Sequence, residues 1–253
     1  LSKKGVRGGK RKMQLNYKFV LAEGAREMGF ELTEEQVDAF TRYKDLLLSW
    51  NEKMNLTAIV EEQHVAVKHF LDSLALLGKL DVKVHRRMLD VGTGAGFPGI
   101  PLKVCCPWIN VVLLDSLKKR VMFLEEVIRQ LELTGIETVH GRAEEKGRDR
   151  DFKEGFDLVV ARAVASMGVL SEYCLPFVKQ DGVFVAFKGP EVAEELEASG
   201  RALEILGGSL EAVHQVKLPF AGGDRSLVII RKTRPTPEKY PRKPGMPEKK
   251  PLR

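Results

Sequence analysis

The sequence predicts an α/β fold: a mostly parallel, doubly wound sheet that ends in an antiparallel pair and follows a small helical lobe. Three observations predict it. From residue 87 onward, short apolar runs alternate with amphipathic stretches of helical length, the rhythm of a βαβ series. Several of these runs are apolar throughout, as in Val111-Val112-Leu113-Leu114 and Leu158-Val159-Val160-Ala161, which fits strands covered on both faces. The last two runs have no helix between them, and a close pair of that kind forms an antiparallel hairpin.

Taken in order, residues 13–80 read as the helical lobe. Thr33 with Gln36 three residues later has the form of a capping start. Phe40, Tyr43, Leu47 and Trp50 then recur at steps of three and four, and Trp50 and Tyr43 read as core on that apolar face. Asn51 to Thr57 reads as a loop, after which Val67, Phe70, Leu71, Leu74 and Leu77 resume a helical face. Residues 81–232 form the sheet domain. Strands are predicted at Met88–Val91, Val111–Asp115, Ile136–His140, Phe156–Ala161 and Gly182–Phe187. Helices are predicted at Pro98–Cys105, Leu117–Leu133, Ser166–Val178 and Glu191–Leu206. Val213–Leu218 and Leu227–Arg231 make the closing hairpin, expected at the sheet edge. Residues 233–253 are rich in Pro and Lys and lack apolar periodicity, so they are expected to form an extended or disordered arm.

Charge is unevenly placed. The chain of 253 residues carries +6 overall, but residues 1–12 hold six Lys/Arg and no acid, and residues 231–253 carry a net +7. That leaves −7 for residues 13–230. Two basic ends point to a polyanion partner such as RNA or DNA, and at physiological salt an acidic body is screened from an arm beyond ~8 Å. The basic start has no apolar stretch behind it and does not read as a secretory signal. No run approaches the ~20 apolar residues of a membrane span. Three cysteines, two of them adjacent, build neither a disulfide framework nor a zinc site, so a reducing cytoplasm and no metal are expected.

The segment Asp90-Val91-Gly92-Thr93-Gly94-Ala95-Gly96-Phe97-Pro98-Gly99 follows a strand and opens a helix, the setting a ligand-binding glycine loop requires. From Gly94 it fits G-x-G-x-x-G, and Asp115 lies 21 residues on, where it could hold the ribose of NAD. Asp90 and Gly92 extend it to D-x-G-x-G-x-G. That longer form resembles motif I of the class I methyltransferases, whose donor is S-adenosylmethionine. An acid at the strand end suits a cationic methionine moiety and repels a pyrophosphate. Arg162, after the fourth strand, sits at the crevice where ligands of such sheets bind. Gly141 to Glu145 follow the third strand, where the loop of a methyltransferase sheet meets the adenine edge, but Glu144 or Glu145 is more often a helix-start charge. Phe97 reads either as core or as a border of the methionine side.

Five segments in order then carry a more specific resemblance: Trp50 to Ile59, His69-Phe70-Leu71-Asp72-Ser73-Leu74, Asp90 to Pro101, Leu114-Asp115-Ser116 with Lys119-Arg120, and Phe187-Lys188-Gly189. With Lys239 to Gly245 and Lys249 to Leu252 at the end, they resemble the glucose-inhibited division protein B family, the small-subunit rRNA methyltransferases G. The resemblance implies a Rossmann-like class I methyltransferase fold with a seven-stranded sheet. It implies transfer of a methyl group from S-adenosylmethionine to nitrogen-7 of a guanine in the 530 loop of 16S rRNA, at nucleotide 527. The donor contacts it implies are Gly92, Phe97, Asp115, Ala143, Glu144 and Arg162. The basic segment before Met13 is longer than the family pattern.

Nitrogen-7 of guanine carries a free lone pair and no proton, so attack on a sulfonium methyl needs no general base. Alignment alone is worth ~7–11 kcal/mol in such a step. Candidates for holding the base are His69, Asp72, Ser73, Lys188 and Arg225, since Arg or Lys pairs with guanine oxygen-6 and a carboxylate accepts from its amino and imino groups. Lys188 and Arg225 also read as surface charge, His69 as a buried helix histidine and Asp72 as a pairing group within the lobe. The expected partner is 16S rRNA or the small ribosomal subunit, the expected assembly a monomer, with no membrane. The competing readings are an NAD-dependent oxidoreductase and a noncatalytic RNA-binding or assembly factor.

Overall fold

A computed structural model describes residues 16–162 and 165–252; the basic segment 1–12 lies outside the described residues. The lobe opens with α1 (Tyr17–Glu27) and α2 (Glu34–Met54). At the start of α2 the Thr33 hydroxyl accepts from Gln36 N, and the Gln36 side chain accepts from Thr33 N, the reciprocal cap expected from the sequence. The helix runs through Asn51–Met54, where a loop was expected, and stops at Asn55, whose φ of +49° is a left-handed conformation that Asn tolerates. The next helical run has four parts: α3 (Glu62–Val65), a π-helical turn (Ala66–Leu71), α4 (Asp72–Leu74) and a 3-10 turn (Ala75–Gly78). The π turn carries His69 and leads directly into Asp72.

Seven strands form one sheet: β1 (Arg87–Val91), β2 (Asn110–Asp115), β3 (Ile136–His140), β4 (Phe156–Arg162), β5 (Val178–Lys188), β6 (Gly208–Leu218) and β7 (Gly223–Lys232). The order is β3-β2-β1-β4-β5-β7-β6. β1 to β5 pair in parallel, and β7 runs antiparallel to both β5 and β6. The terminal pair is therefore a hairpin, but β7 is inserted next to β5 and leaves β6 at the edge. Helices α5 (Gly99–Cys105), α6 (Lys118–Gln130), α7 (Ala143–Lys146), α8 (Met167–Cys174) and α9 (Ala193–Leu206) connect the strands, and α10 (Met246–Lys249) follows the sheet. This is the class I methyltransferase fold.

Alternate residues of each strand enter different cores. Met88, Val111, Leu113, Leu158 and Val160 face the helical lobe, while Leu89, Val91, Val112, Leu114 and Val159 face α8 and α9. That two-residue period with both faces buried is why the strands read as continuous apolar runs. The lobe shares its core with the sheet: Phe40 and Tyr43 both pack on Phe70, and Tyr43 also meets Phe97 and Phe123. Each such ring contributes ~1.5–3 kcal/mol by burial alone.

The carboxyl-terminal segment is not the free arm its composition predicts. Arg242 forks onto Glu172 of α8, with Nε to Oε1 at 2.9 Å and Nη2 to Oε2 at 2.6 Å, and Glu172 is fully buried. Gly245 N donates to Glu144 Oε1 at 2.9 Å, and Arg148 Nε donates to Pro241 O at 2.7 Å. Tyr240 and Pro247 are buried. Earlier in the segment, the Lys232 ammonium is buried against Leu175 O and Thr236 Oγ1. Long-range ion pairs, absent from any local pattern, overrule the composition.

Candidate active site

The strand order reverses between β1 and β4, which opens a crevice at their carboxyl ends. The glycine loop after β1 is fixed there from three sides. Asp90 is fully buried, and its Oδ2 accepts from Thr93 Oγ1 (2.6 Å) and Gly99 N (2.8 Å). Its Oδ1 is buried with no hydrogen-bond partner among the described residues, and burial lifts the carboxyl pKa to about 7. From the lobe, the Tyr43 hydroxyl donates to Ala95 O. A Cβ at Gly96 would strike the Tyr43 hydroxyl and the Ile100 side chain, and Gly96 has φ +97°, so only glycine suits the position. From β2, Asp115 Oδ2 accepts from Gly94 N and Oδ1 from Leu117 N, both at 2.9 Å, with Arg120 Nη1 at 3.4 Å. Nothing lies within 4 Å of a Cβ placed on Gly94, so the backbone there is open to a ligand.

On the β2–β3 side lies a cleft of about 150 Å³ lined by Gly92, Asp115, Ala143 and Glu144, with Gly141, Arg142, Tyr173 and Glu248 also on its wall. Three carboxylates face one lining guanidinium. Such a wall accepts from hydroxyl and amine donors, favours a positive charge and disfavours a pyrophosphate.

On the β4–β5 side lies a second cleft of about 360 Å³, lined by His69, Asp72, Arg162, Lys188 and Arg225 with Lys68, Ile59, Phe187 and Gly189. Arg162 Nη1 donates to Asp72 Oδ2 at 2.9 Å and to Lys68 O at 3.0 Å. Arg225 Nε stands 3.2 Å from Asp72 Oδ1. Arg162 Nη2 lies 3.2 Å from His69 Nδ1, and a guanidinium can only donate, so Nδ1 accepts and the proton sits on Nε2. Nε2 then donates to Thr57 Oγ1 at 2.8 Å. Burial, with the Arg162 charge second, pushes the His69 pKa down to about 3, which keeps the ring neutral. Lys188 is held by Ala165 O (2.8 Å) and Glu195 Oε1 (2.7 Å).

The candidates named from the sequence thus divide. Gly92, Asp115, Ala143 and Glu144 share the first cleft; His69, Lys188, Arg225 and Arg162 share the second. Phe97 of the glycine loop is buried beside residues of the second cleft, with the His69 ring stacked on it, Tyr43 beside it and the Arg162 guanidinium 5.0 Å from its centre. Ser73 is fully buried and donates to His69 O, away from any base. Sequence reasoning missed Tyr173 and Glu248, which reach the first cleft from 75 residues apart. It also missed the bridging of Asp72 to two arginines. Glu248 was hidden by the net positive charge around it.

A family model described as rRNA small subunit methyltransferase G matches residues 36–228. The chain is 53% identical over 232 residues to the ribosomal RNA small subunit methyltransferase G of Desulforamulus reducens, covering 92% of this chain and 97% of that protein. It is 53% identical over 236 residues to the protein of the same name from Alkaliphilus metalliredigens, covering 93% and 99%. Among solved structures, a putative O-methyltransferase from Klebsiella pneumoniae superposes with a TM-score of 0.50 at 15% identity, over 76% of this chain and 90% of that one, a likeness of fold. The chain belongs to the rRNA small subunit methyltransferase G family.

Proposed function

We propose that the protein transfers a methyl group from S-adenosylmethionine to nitrogen-7 of a guanine in the 530 loop of 16S rRNA, at nucleotide 527. The observation that carries this reading is an acceptor-rich cleft and a cation-rich one at the carboxyl ends of neighbouring strands, with Phe97 of the glycine loop stacked on His69 of the second. Family membership supports rRNA as the substrate class and methyl transfer as the reaction.

The first cleft fits the donor. The carboxylates of Asp115 and Glu144, with the open backbone at Gly94 in the adjoining loop, match a molecule with ribose hydroxyls, an adenine amine and a net positive charge. Gly92, Asp115, Ala143 and Glu144 would hold it, with Phe97 and Arg162 bounding the side toward the second cleft. When bound, S-adenosylmethionine supplies an electrophilic methyl group and leaves as S-adenosylhomocysteine.

The second cleft would hold the guanine. Arg225 and Lys68 would meet phosphate or oxygen-6, while Asp72, buried and already engaged by Arg162 and Arg225, positions the two guanidiniums. Lys188 is already neutralised by Glu195 and braces the wall. His69 is neutral with both nitrogens engaged, so it does not accept a proton from the nucleophile. That suits nitrogen-7, which has none to give, and the residues act by alignment and exclusion of water. No helix of the described residues is long and apolar enough to cross a membrane. The reading places the work on 16S rRNA or the small subunit in the cytoplasm.

The test is transfer of labelled methyl from S-adenosylmethionine to 30S subunits and to naked 16S rRNA, both from cells that lack the activity. Borohydride–aniline cleavage then maps any 7-methylguanosine. Label confined to one guanine of the 530 loop is the expected result. Donor binding without transfer to either substrate would overturn the assignment of the base.

A further inference from the structure

The carboxyl-terminal segment forms one wall of the first cleft. Two of its anchors grip the elements that form the rest of that wall: Arg242 forks onto the buried Glu172 of α8, and Gly245 N bonds Glu144 at the start of α7. Just beyond these anchors the short α10 sets Glu248 at the rim, where Oε1 accepts from the Tyr173 hydroxyl at 3.2 Å. Tyr173 directly follows Glu172 on α8, so the clasp and the rim contact share one helix. Among the described residues, Oε2 of Glu248 takes no hydrogen bond, and the carboxylate lines the cleft beside Ala143 and Glu144. A segment that carries net positive charge thus delivers an acid to this spot.

We propose that Glu248 is a donor-binding residue: the Arg242–Glu172 clasp holds it at the cleft, where its free carboxylate oxygen accepts from the exocyclic amine of the donor's adenine. The segment is then part of the donor pocket rather than an RNA arm, and the pocket is incomplete without it. This rests on the reading of the first cleft as the donor site. The chemistry is selective. A carboxylate there favours a 6-amino purine and disfavours a 6-oxo purine, whose oxygen would face it lone pair to lone pair.

The experiment is calorimetric titration of the full chain with S-adenosylhomocysteine and with S-inosylhomocysteine, which carries oxygen in place of the amine. Wild type should prefer the amino ligand by roughly tenfold or more, the worth of one charge-assisted hydrogen bond. Glu248→Ala should lose most of that preference. Glu248→Gln, which can donate to the oxo group, should bind the inosyl ligand better than Glu248→Ala does. A general loosening of the fold would weaken both ligands together and leave their ratio alone. An unchanged ratio in both variants overturns the assignment of Glu248 while leaving the donor site standing. If wild type binds neither ligand, the donor reading of the cleft falls, and this proposal falls with it.

Discussion

The imidazole of His69 lies flat against the ring of Phe97, with centroids 4.5 Å apart and planes within 10°. One ring comes from the helical lobe and the other from the glycine loop, so the stack joins the two clefts' supports directly. A charged imidazole is costly there, beside Arg162 and out of water.

His69 should therefore make stability rise with pH. Its folded pKa is about 3 against 6.5 for a free histidine, so between those values the unfolded chain binds a proton that the native state does not. Stability from this group is lost as pH falls through that window, with a limiting slope of about 1.4 kcal/mol per pH unit. Urea unfolding of wild type and His69→Gln at pH 5 and pH 7 checks it: the gain from pH 5 to pH 7 should be smaller in the variant. An equal gain in both would mean that His69 titrates normally.

Asp90 should act with the opposite sign. Burial raises its carboxyl from 3.8 to about 7, so the native state keeps a proton that the unfolded chain releases. The stability it contributes is present below pH 3.8 and is lost as pH rises through 7. Asp90→Asn mimics the protonated form. Relative to wild type, it should gain stability in urea as pH goes from 5 to 8, and a constant difference would show that Asp90 is ionised throughout.

Gly96→Ala should cost about 1–3 kcal/mol from overpacking, with more from the positive φ. The added methyl meets Tyr43 and Ile100, neither of which has room to retreat in a filled core. Because Tyr43 also holds Ala95 O, donor affinity should fall with stability. Thermal unfolding with and without S-adenosylhomocysteine separates the two effects. Gly94→Ala, where a methyl meets open space and only the φ of +63° is strained, should lose donor affinity with a smaller loss of stability.

Arg242→Ala should be among the most destabilising changes in the segment after residue 232. It leaves Glu172 fully buried without its cation, and stranding one member of a buried pair costs ~3–5 kcal/mol. Replacing both partners, as Arg242→Met with Glu172→Met, should recover most of that loss. Chemical denaturation of the single and double variants measures the difference. Equal stability of Arg242→Ala and wild type would mean the clasp is open in solution.

Much of the fold is legible because it is written in local pattern: Thr33 and Gln36 cap a helix, and Val111–Leu114 is apolar because both faces are covered. The crevice is legible for the same reason, since Gly92, Asp115 and Arg162 stand at strand ends. What resists reading is long-range pairing. Arg242 and Glu172 are 70 residues apart, and nothing near either one announces the other. The Pro- and Lys-rich tail therefore reads as a free arm, and the clasp overturns that expectation. Lys188 shows a subtler limit. Its place at the end of β5 is evident, yet Glu195, seven residues on, already occupies its charge.

Arg225 offers the cleanest separation of RNA from donor. It lies at the start of β7, its Nε faces Asp72 Oδ1, and its side chain is partly exposed on the second cleft rather than the first. If it meets an RNA phosphate, Arg225→Ala should weaken binding of a 530-loop RNA and reduce the log–log salt slope by about 0.7. Arg225→Lys should restore the slope, because charge and not fork geometry governs counterion release. Affinity for S-adenosylhomocysteine should stay at the wild-type value in both, since Asp115, Glu144 and the glycine loop are untouched. A parallel loss of donor affinity would instead mean that the Asp72–Arg162 pair, freed of Arg225, collapses toward Phe97 and disturbs the loop from behind.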